Sequence, residues 1–203
     1  MASSEFFTNF NLGGDDGLNS ENKILDQTLS ANLTFFQSSD LEWRTGAQIK
    51  QLDFKYLNTF LEDTSFYIGE NPMEAGFYTK LKWKGFSRLI IEPGLRYNYY
   101  SVYSSTPYID LRLGAKYLLT DDRYINIAFG NYHQFIQTVQ DDYNPTILDS
   151  WLAVDNSIDP AEAQQTVIGY EEYISDIYKI QIEAYYKTIQ NMLTFEDLSL
   201  IHI

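Results

Sequence analysis

Ile109-Asp110-Leu111-Arg112-Leu113-Gly114-Ala115-Lys116-Tyr117-Leu118-Leu119 decides the fold. Ile109, Leu111, Leu113, Ala115, Tyr117 and Leu119 share one face of an extended chain; Asp110, Arg112, Gly114 and Lys116 share the other. Alternation with period two marks a strand whose faces meet different surroundings. Strands of globular proteins average about 5–6 residues. This run has the roughly 9–11 that a tilted strand needs to cross a bilayer.

The pattern repeats on both sides. Leu25, Leu29, Ala31, Leu33 and Phe35 oppose Asp26, Thr28, Ser30, Asn32 and Thr34, and only Gln27 breaks the apolar face. Leu41, Trp43, Thr45, Ala47 and Ile49 oppose Glu42, Arg44, Gly46, Gln48 and Lys50. The phase then flips at Lys50-Gln51 so that Leu52, Phe54 and Tyr56 align, which predicts a bulge. Phe77, Leu81 and Trp83 oppose Lys80, Lys82 and Lys84; Leu89, Ile91, Leu95, Tyr97 and Tyr99 oppose Arg88, Glu92, Arg96 and Asn98. Ile125, Ile127 and Phe129, then Ile168 and Tyr170, then Ile180, Ile182, Ala184 and Tyr186 continue the series. With a short opening run near Phe6–Leu12, about nine strands are expected. Short turns at 38–40, 84–87, 120–122 and 174–176 alternate with longer loops at 13–22, 61–74 and 139–164 and a brief one at 104–107. Short turns at one end and long loops at the other describe an outer-membrane barrel. The expected fold is therefore all-β: an antiparallel transmembrane β-barrel segment.

Composition agrees. The 203 residues are 44% hydrophobic and 16% aromatic, with 17 Tyr, yet mean hydropathy is −0.31. No run approaches the roughly 20 apolar residues of a membrane-spanning helix. That excludes helical spans and leaves barrel strands untouched, because alternation hides their apolar half. Absence of cysteine excludes a disulfide scaffold, a thiol nucleophile and Cys-ligated metal. A net charge of −14 argues against nucleic acid as a partner. Met1 is followed by Ala2-Ser3-Ser4-Glu5 without a basic or apolar leader segment. For an exported barrel, this is read as the mark of a fragment.

Several short stretches carry a family resemblance. Pro72-Met73-Glu74-Ala75-Gly76-Phe77-Tyr78-Thr79-Lys80-Leu81-Lys82-Trp83 resembles the "P-x-E-x-x-x-Y-x-x-x-x-W" strand of TonB-dependent receptors. Pro93-Gly94-Leu95-Arg96-Tyr97-Asn98-Tyr99-Tyr100 resembles their "P-G-L-R-Y-D-Y-Y" strand, and Ala128-Phe129-Gly130-Asn131-Tyr132-His133-Gln134-Phe135 their "A-x-G-x-Y-x-Q-F" strand. Gly169-Tyr170-Glu171 and Glu183-Ala184-Tyr185-Tyr186-Lys187 resemble strands near the barrel's end. Order and spacing over roughly Ala75–Phe195 carry the likeness; the earlier part fits by pattern. The resemblance implies part of a 22-stranded, plugged outer-membrane barrel. It further implies transport of a small solute (a siderophore, cobalamin, glycan or peptide). Energy would come from TonB acting through an N-terminal region, and a plug domain and outer-membrane lipid would be the other partners. The sequence shows neither a TonB box nor a plug. A passive porin or another large outer-membrane barrel, and a soluble carbohydrate-binding β-sandwich, remain open as alternatives. Residues 1–197 are read as barrel. Leu198-Ser199-Leu200-Ile201-His202-Ile203 resembles adapter read-through and is read as a non-native tail.

Chemistry is sparse. His133 has no partner histidine and no metal-ligand spacing, so it is read as a barrel-wall residue near the rim. Asp121-Asp122 reads as a turn. Asp15-Asp16 and Asp141-Asp142 are adjacent pairs, and adjacency does not make two carboxylates converge on one substrate. Gly13–Gly17 lacks the calcium-loop pattern. No catalytic residue, metal ligand or cofactor site is expected. Candidate ligand contacts in the longest loop are Asp141, Asp142, Tyr143 and Trp151, the last because an indole can stack on a ring. Asp26, Arg44, Arg88, Glu92, Arg96, Asp110, Arg112 and Lys116 are expected to face the lumen. All 14 Lys and Arg lie in strands or at their ends, whereas the three long loops are acidic.

Overall fold

The computed structural model describes residues 2–13, 17–60, 63–103, 107–139, 150–154, 158–175 and 177–193. Among these residues nine long strands form the wall, in the order Ala2–Leu12 (β1), Leu18–Phe36 (β2), Leu41–Phe60 (β3), Met73–Phe86 (β5), Leu89–Tyr100 (β6), Tyr108–Leu118 (β7), Arg123–Gln134 (β8), Ala161–Tyr173 (β11) and Lys179–Gln190 (β12). Each is antiparallel to its neighbour. Strand Asp63–Glu70 (β4) pairs with the far half of β3, and Ile136–Val139 (β9) pairs with Ser150–Ala153 (β10) as a separate hairpin.

Register explains why alternation dominates the sequence. Ala31, Ala47, Phe77, Tyr97 and Ile109 lie opposite one another across five strands. Leu113, Phe129, Thr166 and Tyr186 do the same across four. These mid-strand apolar rows thus fall on one continuous face, because a one-residue slip would send a whole strand's apolar set to the other side. Leu111 and Leu113 on this face are 54% and 49% exposed, while Asp110 on the opposite face is 2% exposed. A soluble sandwich packs apolar inner faces together. Here the arrangement is inverted, and lipid is the solvent that satisfies the outer stripe. Phe35, Trp43, Trp83 and Tyr117 lie on that stripe close to the short turns; Phe35 and Trp43 have ring centroids 5.4 Å apart. Aromatic rings at the ends of an apolar band match an interfacial girdle.

The sheet is curled. Residues of edge strand β1 and of the end of β8 line a single cavity, and Tyr100 of β6 stacks on Phe135 beyond β8 at 4.7 Å. The small buried core lies at the long-loop end. Tyr100, Phe135 and Val154 form it, with Val102, Tyr108 and Ile158 packed around them. Two glycines permit close approach on the concave side. A Cβ on Gly46 would stand 2.5 Å from the Tyr78 ring, which crosses it to donate to Asn32 two strands away at 2.8 Å. A Cβ on Gly76 would stand 2.7 Å from the Arg96 guanidinium.

Three sequence expectations change. No bulge occurs at Lys50-Gln51: the β2–β3 ladder runs without a register shift from Leu18↔Phe60 to Phe36↔Glu42. The face stays in phase, and what changes is where apolar residues are wanted. Leu52, Phe54 and Tyr56 point to the concave side, where they are buried. The loops expected at 13–22 and 61–74 are shorter than predicted, since β2 begins at Leu18 and β4 occupies Asp63–Glu70. Arg88 sits in the turn between β5 and β6 rather than on a strand, and donates to the Leu119 carbonyl at 3.4 Å. The tail 198–203 lies outside the described residues.

Candidate functional site

The concave wall carries the charge. At the short-turn end Lys80 and Lys82 both pair with Glu92, the latter at 3.3 Å, and Arg44 pairs with Glu42. Lys116 and Lys179 share Glu171 at 3.4 and 3.3 Å, and Lys116 also lies over the Tyr124 ring at 4.1 Å. Midway, the Arg112 guanidinium lies 4.7 Å above the Tyr132 ring. Toward the long-loop end, Lys50 reaches Asp26 at 3.5 Å and Arg96 reaches Glu74 at 3.8 Å. Partly exposed pairs of this kind contribute about 0–1 kcal/mol each. Their joint effect is a wall of mixed sign whose long side chains are held across strands.

Asp26, Arg44, Glu92, Arg96, Asp110, Arg112 and Lys116 therefore share one face, and Arg88 stands at its rim. Sequence reasoning missed how they connect. Arg96 donates to Asn98 at 2.6 Å, Asn98 donates to Asp110 at 2.9 Å, and Asp110 meets His133 Nδ1 at 2.6 Å. The Tyr108 ring packs against the imidazole at 4.9 Å.

Asn131 makes this possible. The β7–β8 ladder ends at Arg112↔Gly130. Beyond it the Asn131 side chain takes over, accepting from Leu111 N–H at 2.6 Å and donating to the Ile109 carbonyl at 3.0 Å. With β7 satisfied by a side chain, the end of β8 is free to turn inward and bring His133 and Phe135 to the concave side. Asn131→Ala leaves two backbone groups without these partners. At about 0.5–1.5 kcal/mol for each of the two hydrogen bonds, the complete barrel should lose about 1–3 kcal/mol. An unchanged unfolding midpoint in a reversible membrane-folding assay would show that β8 turns for another reason.

The end of β8 lines an open cavity of about 480 Å³ at the long-loop mouth. The size lies within the roughly 300–1,000 Å³ of small-molecule sites. Phe6, Ile24, Leu52 and Phe135 supply apolar walls; Glu5, Asp26, Lys50, Glu74 and His133 supply polar groups. Asp141, Asp142 and Tyr143 lie outside the described residues. Trp151 is on β10, opposite Thr138 of β9. Among the described residues no group of three or more His, Asp or Glu is placed to hold a metal ion, and no helix is long and apolar enough to cross a membrane.

The model of the family described as TonB dependent receptor-like, beta-barrel, matches residues 2–200. No curated protein matches the sequence. Among solved structures, the siderophore receptor PirA from Pseudomonas aeruginosa is similar at 14% identity and a TM-score of 0.61, covering 91% of this chain and 38% of its own. The ferric yersiniabactin uptake receptor FyuA from Yersinia pestis is similar at 12% identity and 0.60, covering 94% and 32%. OmpT, an outer membrane protein of Vibrio cholerae, is similar at 10% identity and 0.54, covering 92% and 53%. The chain thus spans about a third of the length of the two receptors, and likeness at this identity concerns the fold. Inverted surface, alternating loop lengths and family model agree: the chain belongs to the TonB-dependent receptor β-barrel family and resides in the bacterial outer membrane.

Proposed function

We propose that the chain forms part of the wall of an active transporter, which draws a solute through a plugged barrel with energy delivered by TonB. The observation that supports this reading is the mouth cavity, set where a charged concave wall meets the long loops. Siderophores, cobalamin, glycans and peptides are the candidate solutes. The concave charges would meet a plug domain, and Asp141, Asp142, Tyr143 and Trp151 would contact solute from the longest loop. No catalytic step is part of the role. The test is accumulation of a labelled panel of these solutes by cells with and without the full receptor gene. Active transport requires one solute whose uptake needs the gene, needs TonB and stops when an uncoupler dissipates the inner-membrane proton gradient. Uptake that needs the gene but ignores TonB and the uncoupler would mean a passive porin.

The loops add an expectation about kinetics. Two acids assigned to them are neutralised from the wall: Glu21 by Lys55 at 3.0 Å and Glu74 by Arg96. Asp141, Asp142, Asp149 and Asp159 have no basic residue in their own loop. A mouth of one sign concentrates opposite charge. Solute on-rate to the full receptor should fall as salt rises from 0.1 to 1 M, where the Debye length shrinks from ~10 to ~3 Å. Asp141→Asn with Asp142→Asn should slow the rate at low salt. A rate flat in both experiments would reduce the acidic loops to a solvated surface.

A further inference from the structure

Strand β4 reaches past the end of β6. It shares one register with β5 along β3: Phe54↔Glu70 and Gln51↔Met73 lie on the same ladder, joined where Leu52 N–H donates to the Pro72 carbonyl at 3.0 Å. On the other side β6 stops early. Its last pair with β5 is Glu74↔Tyr100, and the chain leaves in the 3-10 turn Ser101–Tyr103. The Ser101 hydroxyl accepts from Met73 N–H at 2.9 Å, and Pro72 has no N–H to offer. Beyond that point β4 pairs with β3, and among the described residues no strand takes its other edge. Strands that complete the barrel join at β1 and β12, so they leave this edge open.

A free edge presents backbone N–H and C=O groups that template a further strand, and natural edges blunt this with Lys or Pro. Asp63–Glu70 contains neither. A register shift between Asn58 and Thr59 interrupts its tip and leaves Phe66–Glu70 in regular pairing, about 17 Å of strand at ~3.4 Å per residue. Charge then selects the partner. No Lys or Arg occurs from Tyr56 to Thr79. Lys55, opposite Gly69, is bound to Glu21 at 3.0 Å. Asp63 and Glu70 pair with no cation among the described residues. A second copy of this chain would set these acids against their own kind, and its β4, inserted the same way up, would run parallel. No β4 residue lines the mouth cavity, so this edge is distinct from it.

We infer that the open edge of β4 docks a basic, extended segment of a second protein at the cell surface, by strand addition. Main-chain hydrogen bonds supply the affinity in this mode, and Asp63 and Glu70 select for Lys or Arg. The inference is independent of what the barrel transports. The test uses the full receptor in detergent and two end-blocked octapeptide probes of equal charge, (Lys-Val)4 and (Lys-Pro)4. The second lacks half of its N–H groups and cannot continue a sheet. In fluorescence anisotropy (Lys-Val)4 should bind at least tenfold tighter than (Lys-Pro)4. Saturating (Lys-Val)4 should slow hydrogen exchange at least tenfold for amides within 63–70. Asp63→Asn with Glu70→Gln should weaken binding at least fivefold, yet saturating peptide should still protect the same amides. An acidic (Glu-Val)4 probe should bind at least tenfold more weakly than (Lys-Val)4. Equal binding of the Val and Pro probes overturns the inference, because it reports charge attraction without strand addition. Absence of binding, or protection that spares 63–70, overturns it as well. Binding indifferent to the double substitution and to probe sign overturns the basic partner.

Discussion

Leu113→Arg in the complete receptor is expected to destabilise the barrel by roughly 2–4 kcal/mol, the range for a cation at the bilayer midplane. Leu113 lies midway along β7, between Pro93 on β6 and Phe129 on β8, and the side chains of this row point outward. Its direct cross-strand neighbours Pro93 and Phe129 offer an Arg there no carboxylate, and each end of the strand is several residues away. Arg112→Leu should cost less. Its guanidinium is held over Tyr132 on the concave side, where leucine loses about 0.5–1 kcal/mol of cation–π attraction and meets a wet wall rather than lipid. The comparison isolates facing from chemistry, since adjacent residues on one strand exchange leucine and arginine in opposite senses. Equilibrium unfolding from lipid vesicles measures both. If Arg112→Leu proved the more damaging, the two faces would have to be exchanged throughout the sheet, because the register ties all nine strands together.

How much of this was legible in the sequence depended on depth in the membrane. In mid-strand, lipid on one side and water on the other impose period two, and Leu111-Arg112-Leu113 can be read without a structure. Beyond the bilayer that contrast vanishes. Asn19–Glu21 and Thr64–Glu70 are strand, yet their sequence shows no clean alternation of apolar and polar residues, so they read as loop. The same change of surroundings explains Leu52, Phe54 and Tyr56. They occupy concave positions that are polar lower down, and the apparent flip of phase was a change of environment along an unbroken ladder. The site was less legible still. Asp110 and His133 are 23 residues apart, and no local spacing announces them. Their contact depends on the Arg112↔Gly130 register and on Asn131 replacing a strand partner just beyond it. An asparagine in a strand is the one available signal, since it is depleted there without a special reason.

Purified as a monomer, the 203-residue chain is expected to give no discrete single-channel conductance in planar bilayers. Strand parity carries the argument. Among the described residues the wall has nine strands, each antiparallel to the next, so β1 and β12 run in the same direction. Joining these edges would make a parallel pair, whereas bacterial outer-membrane barrels close with an even number of antiparallel strands. A second copy inserted the same way up meets the same obstacle, because its β1 also runs parallel to the first copy's β12. Closure needs an odd number of further strands between the edges, and a 22-stranded barrel would supply 13. Until they are present, both edges expose backbone N–H and C=O groups. In lipid each unsatisfied group costs several kcal/mol, and in water the edges invite aggregation. The outward residues of β12 reinforce the point: Ile182 and Tyr186 are 65% and 71% exposed with strand β11 on one side only. Steady unitary currents from monomer would mean that the edges had found a closed pairing this topology does not allow. Addition of the missing strands in trans, as a second polypeptide, should by contrast restore a closed, heat-modifiable species.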